Sequence, residues 1–154
     1  MKNILKSIVF SAVLLGFSGG FIASCEKTTT DLKGTKWKLV GIVDVETEVL
    51  WELEPANCEE CYQITFWGNM IPGYTINFSG HAETGGLTGI YELVEETSSI
   101  QMQIWLITDH NEPPNGSFFI ETLNNVHSFS LRGNVLNLYY ENEKKYLQFK
   151  PQKQ

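Results

Sequence analysis

The sequence predicts a mostly β, single-domain fold: an antiparallel β-barrel or strongly curved sheet of about eight strands, with one short helix near residues 117–125. Three observations carry this. Apolar and polar residues alternate with a period of two along most of the chain after Gly34, which is the pattern of half-buried strands. The C-terminal stretch "HSFSLRGNVLNLYYENEKKYLQFK" is cut into three such runs by "RGN" and "ENEK", clusters of the hairpin type. One segment alone, "FFIETLNNV", has helical spacing.

In order along the chain, "TKWKL" puts Trp37 and Leu39 on one face and Lys36 and Lys38 on the other. "CYQITFW" repeats this with Tyr62, Ile64 and Phe66, and "YTINF" with Tyr74, Ile76 and Phe78. The stretch "SGHAETGGL" reads as a glycine-rich turn, followed by a strand in "GIYELV". "SIQMQIWLI" alternates Ile100, Met102, Ile104 and Leu106 against Gln101, Gln103 and Trp105. After the loop "DHNEPPNG", Ser117 is expected to cap the helix, with Phe119, Leu123 and Val126 at i, i+4 and i+7. The helix should cover one end of the sheet. Eight strands favour closure, because a closed sheet has no unpaired edge.

The N-terminus has the layout of a secretory signal: Lys2 and Lys6, the apolar run Ile8 to Phe17, then small residues. The run is shorter than the roughly 20 residues a bilayer span needs. Ile22-Ala23-Ser24-Cys25 resembles the lipobox of bacterial lipoproteins, in which the cysteine is diacylated and becomes the first mature residue. Residues 1–24 are therefore expected to be a signal peptide, residues 25–33 a lipidated polar tether, and residues 34–151 the folded domain. More than one hydrocarbon chain on Cys25 would hold the protein stably on a membrane.

The chain carries 11 basic and 18 acidic residues, a formal charge of −7. Loss of residues 1–24 would remove two lysines and no acid, making the balance more negative. Nucleic acid is excluded as a partner, since it needs a basic footprint. The expected partners are a membrane, through the lipid anchor, and an unknown protein or small-molecule ligand.

"LKGTKWKLVGI", with Gly34, Trp37 and Leu39, and "INFSGHAETGGLTGIYEL", with Phe78, Gly80, Gly86, Gly89 and Tyr91, resemble the META-domain (HslJ-like) family of small bacterial envelope proteins. "VLNLYY" and "KYLQF" are similar to its last hairpin. Where that family usually carries Gly-Cys-Asn, Gly86 is followed here by Leu87 and Thr88. The resemblance implies a compact mostly-β fold and a role in envelope stress or surface adaptation, without an established catalytic centre.

Cys58 and Cys61 are spaced as CxxC. A redox-active pair needs its first cysteine at a helix N-terminus, where the thiol pKa falls. Here Glu54, Glu59 and Glu60 surround the pair and a strand follows, so a structural disulfide or inert thiols are expected in an oxidising compartment. A zinc site would need a second ligand pair, and His81, His110 and His127 are scattered. No metal or other cofactor is expected. The run of acids from Glu46 to Glu60 lacks the spacing of a calcium loop and reads as a solvated surface. Neither a P-loop nor GxSxG nor HExxH is present, so no catalytic residue is assigned and the chain is expected not to be an enzyme.

Trp67 and Trp105 share strand faces with polar residues, which makes them candidate ligand-contact aromatics. The leading expectation is a membrane-anchored envelope lipoprotein that binds something without transforming it. The alternatives are a lipocalin-like carrier with an apolar cavity and, behind it, a small envelope enzyme. Wild-type protein should incorporate a labelled fatty acid in vivo and Cys25→Ser should not; absence of label from the wild type would remove the anchor.

Overall fold

In a computed structural model, which describes residues 31–68, 76–108 and 111–153, the chain forms one closed antiparallel barrel with a short helix across one end. The strands are β1 (Thr35–Asp44), β2 (Leu50–Trp51), β3 (Gln63–Phe66), β4 (Phe78–His81), β5 (Gly86–Val94), β6 (Ser99–Ile107), β7 (Ser128–Arg132), β8 (Val135–Tyr140) and β9 (Lys145–Pro151). The helix α1 (Pro114–Asn124) lies between β6 and β7. Neighbours in the barrel follow the chain from β3 to β9, and β9 returns to β1, which closes an eight-stranded cylinder. The two-residue β2 lies outside that count. It continues the edge of β1 beyond β3, pairing Ile42 with Trp51 and Val43 with Leu50.

Alternation decides what fills the cylinder. Ile64, Phe66, Phe78, Ile100, Leu136, Leu138, Leu147 and Phe149 are fully buried, and Trp37, Leu39, Leu87, Tyr91 and Met102 nearly so. An eight-stranded barrel is just wide enough to be filled by its own side chains or to keep one small ligand. Here large side chains of the described residues pack inside it. Phe66 meets Tyr91 edge to face with centroids 4.8 Å apart, and from the helix Phe119 reaches in to contact Tyr62 at 5.4 Å and Phe149 at 6.4 Å. Leu123, fully buried, and Val126 continue the plug.

Several elements depart from expectation. The helix begins at Pro114 with Pro113 as its cap residue, so Ser117 is inside the first turn and its hydroxyl donates to the Glu112 carbonyl at 3.1 Å. Proline suits the first helical position because its missing N–H would have had no partner there, and this overrides the serine signal. The expected turn from Ser79 shrinks to Ala82–Gly85, because Ser79, Gly80 and His81 pair with Thr65, Ile64 and Gln63. Tyr74 and Thr75 of the expected strand lie outside the described residues, as do residues 1–30 with Cys25. Packing reaches back to Leu32, which is buried before the expected domain start at Gly34.

The registers define two rims. β1 starts and β9 ends at one rim, together with the turns at 95–98 and 133–134; α1 and the turns at 45–49, 82–85 and 141–144 lie at the other. Leu138 and Asn137, adjacent on β8, are the sharpest test of this register. Leu138 is fully buried, whereas Asn137 faces outward, half-buried, with a long 3.4 Å bond to Ser130 Oγ. Leu138→Ala should cost about 2–5 kcal/mol, and Asn137→Ala about 1 kcal/mol or less. Equal denaturation midpoints for the two would contradict the register.

Candidate functional site: an amide-lined groove on the outer wall

The CxxC motif lies in the loop between β2 and β3. Cys58 and Cys61 are joined, with sulfurs 2.00 Å apart, and Cys61 is buried immediately before β3. The loop is folded over the outer wall and held there by two side chains. Lys38 Nζ donates to the carbonyls of Cys58, at 2.7 Å, and Cys61, and Gln63 Nε2 donates to the Glu59 carbonyl at 2.6 Å. Burial, and then the charge of Lys150, lower the Lys38 pKa. Gln63 is consequently buried although it points outward.

At the helix rim, Glu112 is a fastener that the sequence did not single out. Its carboxylate accepts from the backbone amides of Glu83, Thr84 and Gly85 and from the Thr84 hydroxyl, the last three at 2.8–2.9 Å. Charge-assisted bonds of this kind are the strong ones. Gly116 makes room for it, since a Cβ there would lie 2.0 Å from Glu112 Oε1. Tyr62 and Asn115 tie the same region to the Glu54 carbonyl. Burial, and then the hydrogen bond and charge of Glu83, push the Tyr62 hydroxyl pKa far up. This constellation knits three loops and uses its polar groups on one another.

Free polar groups collect elsewhere. β6 meets β7 in a single register pair, Ser99 with Ser128, flanked by bonds from Ile100 N to the His127 carbonyl and from Phe129 N to the Ser98 carbonyl. Beyond Ile100 the neighbour of β6 is the end of α1. Asn124 Oδ1 accepts from Ile104 N at 2.9 Å and so takes the place of a strand partner. Between these anchors opens a groove of about 480 Å³, lined by Ile90 and Glu92 of β5, by Gln101, Met102 and Gln103 of β6, and by residues 124–127. Glu92, Gln101, Gln103, Asn124, Asn125 and His127 are all exposed.

Trp105 stands two positions beyond Gln103 on β6. Thr88 pairs with Leu106 and Gly89 with Ile104, so Trp105 is the extra residue of a β-bulge, with its ring half exposed. Bulges re-aim side chains and recur beside binding sites. The strands crowd here, since a Cβ on Gly89 would lie 2.0 Å from the Gln103 carbonyl oxygen. Trp67 is also exposed, at the end of β3. It is three strands from β6, about 14 Å at the usual strand spacing, so the two tryptophans do not form one platform. Trp51, exposed near the helix rim, belongs to neither.

His81 is half-buried in β4, with Nδ1 3.1 Å from the Ala82 carbonyl oxygen. His110 lies outside the described residues. Among the described residues, no three His, Cys, Asp or Glu side chains converge on a metal position. The alternation of "SIQMQIWLI" already places Gln101, Gln103 and Trp105 on one face. Asn124, Asn125 and His127 carried no signal, since they reach the groove only through the packing of α1 on β6.

The fold is thus a closed eight-stranded antiparallel barrel with a helical plug and a polar groove at its thinnest seam. The chain belongs to the family described as "Domain of unknown function (DUF4847)", whose model matches residues 27–151. The matched family is this one; the META-domain resemblance rests on the sequence motifs alone. A Tannerella forsythia protein named "Putative lipoprotein" is 26% identical over 152 residues, covering 94% of this chain and 95% of its own. The crystal structure of a DUF4847 family protein from Bacteroides vulgatus superposes with a TM-score of 0.57 at 20% identity, covering 80% of this chain and 96% of that one. That likeness shows the fold.

Glu112→Ala would leave three loop amides without their acceptor, at about 1–3 kcal/mol. A lower urea midpoint and faster amide exchange at residues 83–85 are the expected outcome. An unchanged midpoint and unchanged exchange would show that water replaces the carboxylate without loss.

Proposed function

We propose that this protein is a membrane-anchored envelope lipoprotein whose barrel is a non-catalytic binding module that uses its outer wall. One observation carries the reading: the described interior is packed with side chains, while exposed polar groups line a groove on the outside between β6 and the end of α1, and Trp105 is exposed further along β6. A carrier of the lipocalin type needs an apolar cavity, and the packing of Phe66, Phe78, Phe119 and Phe149 inside the barrel does not support that alternative.

The anchored location is supported by the signal-like N-terminus ending at Cys25 and by the lipoprotein name of the Tannerella forsythia relative. A role in envelope stress or surface adaptation has only the META-domain resemblance behind it. The non-catalytic reading is supported by the bonding of the candidate groups. The CxxC cysteines are joined in a loop whose carbonyls are held by Lys38, and the Glu112 carboxylate is engaged by loop amides, which gives both groups a structural use.

The protein is expected to partition with membranes and to show no insulin-reducing activity with dithiothreitol as electron donor, with or without Cys58→Ser and Cys61→Ser. Reduction by the wild type that disappears in the double variant would replace the binding module with a redox enzyme.

A further inference from the structure

We propose that the groove at the β6–β7 seam takes a neutral carbohydrate chain, with Trp105 as its stacking surface and the amides of Gln101, Gln103, Asn124 and Asn125 as its hydroxyl-binding groups. This rests on the outer-wall reading above and gives it a ligand class.

A sugar ring has an apolar face of C–H groups and a rim of hydroxyls, each both donor and acceptor. Its complement is a flat aromatic surface bordered by side chains that offer donors and acceptors in one rigid plane. Carboxamides do this, with two N–H donors and a carbonyl acceptor, and indole supplies a large face with low conformational freedom. The groove brings four carboxamides together, and Trp105, two positions beyond Gln103 on β6, is exposed past the groove's lining.

Two of the amides are already oriented. Asn124 is held by the bond from Ile104 N to its Oδ1, which leaves its Nδ2 as a donor. Asn125 is held by its own bond from Nδ2 to the Glu121 carbonyl at 2.9 Å, which leaves its Oδ1 as an acceptor. A donor and an acceptor fixed on adjacent residues suit neighbouring hydroxyls, and such preorganisation cuts the ordering cost of binding. Gln101, Gln103 and Glu92 make no side-chain hydrogen bond among the described residues. The volume of about 480 Å³ falls in the range of small-ligand sites.

Charge selects among carbohydrates. Glu92 lines the groove and the chain has a formal charge of −7, so uronate or sulfate groups are repelled. An extended peptide fits less well. By alternation with Ile100 and Ile104, whose amides are taken by His127 and Asn124, only Met102 turns its backbone N–H and C=O into the groove. Strand addition needs a longer edge than one residue.

The test is calorimetric titration of the full chain, purified in a zwitterionic detergent, with cellohexaose, maltohexaose, mannohexaose and chitohexaose. Hexagalacturonate serves as the acidic probe and reduced, alkylated casein as the polypeptide probe. At least one neutral hexasaccharide is expected to bind with a Kd below about 1 mM. Trp105→Ala and, separately, Gln103→Ala should weaken that binding about tenfold or more, while Trp67→Ala and Trp51→Ala leave it unchanged. All four positions are exposed, so the variants should keep the wild-type melting curve.

Failure of all four neutral probes overturns the proposal, and so does binding indifferent to Trp105 and Gln103. Preference for hexagalacturonate overturns it too. Binding of casein alone, lost in Trp105→Ala, would replace the carbohydrate with a polypeptide while keeping the outer-wall module. Redox activity in the insulin assay would remove the module itself, so the two readings fail separately.

Discussion

The structure depends on the pairing of its first long strand with its last. β1 and β9 are joined from Trp37–Pro151 to Asp44–Lys145, across almost the whole domain in sequence. Without that ladder β9 has a free edge, β1 loses its main partner, and the row of buried side chains from Trp37 to Phe149 opens to water. Contacts so distant in sequence form late, because loop-closure entropy is lost before they return any energy. The register shift between Leu39 and Gly41 lets β1 bend around the cylinder while Leu39 and Ile42 both stay buried. On its other edge β1 is shared between β3 and the short β2, so a single strand organises three others.

Closure is uneven around the barrel, and the candidate site follows from that. β5 pairs with β6 from Leu87 to Val94 and β8 with β9 from Leu136 to Tyr140, while β6 and β7 touch at one register pair. The helix that connects β6 to β7 is folded back onto β6, and Asn124 satisfies a strand amide that no strand reaches. The interior remains sealed by Phe119 and Leu123. On the outside, the substitution of a helix end for a strand leaves a depression whose walls are side chains instead of a continuous ladder. A polar groove is thus obtained without opening the core.

Much of this was legible in the sequence. Alternation marks β1, β3, β6, β8 and β9, and the inward members it picks out include Trp37, Leu39, Ile64, Phe66, Ile100 and Met102, with Leu136, Leu138 and Tyr140 facing Leu147 and Phe149 across the last hairpin, all of them buried. The helix was legible from the spacing of Phe119 and Leu123. Its start was not, because a proline that ends a loop and one that opens a helix look alike until the cap is seen. β4 was misplaced because Ser79, Gly80 and His81 have turn-like chemistry, and only pairing with β3 makes them a strand. Of the groove, one face could be read directly from "QMQIW"; the other depends on where α1 lands, a long-range outcome that no local period encodes. The Glu112 fastener was invisible for the same reason, since its partners lie almost thirty residues earlier in the chain.

The burial of Leu32 has a consequence for posture. Leu32 and the Gly34 amide, which bonds the Phe66 carbonyl at 2.8 Å, fix the point where the N-terminal segment leaves the barrel. Between that point and the proposed lipid at Cys25 lie six residues, so the span is at most about 25 Å. The domain would then stand upright on a short leash, with the turns at 95–98 and 133–134 toward the bilayer and the helix and the turns at 45–49, 82–85 and 141–144 toward the aqueous side. In that posture the seam of β6 and β7 faces sideways, open to a molecule that approaches along the surface of the membrane.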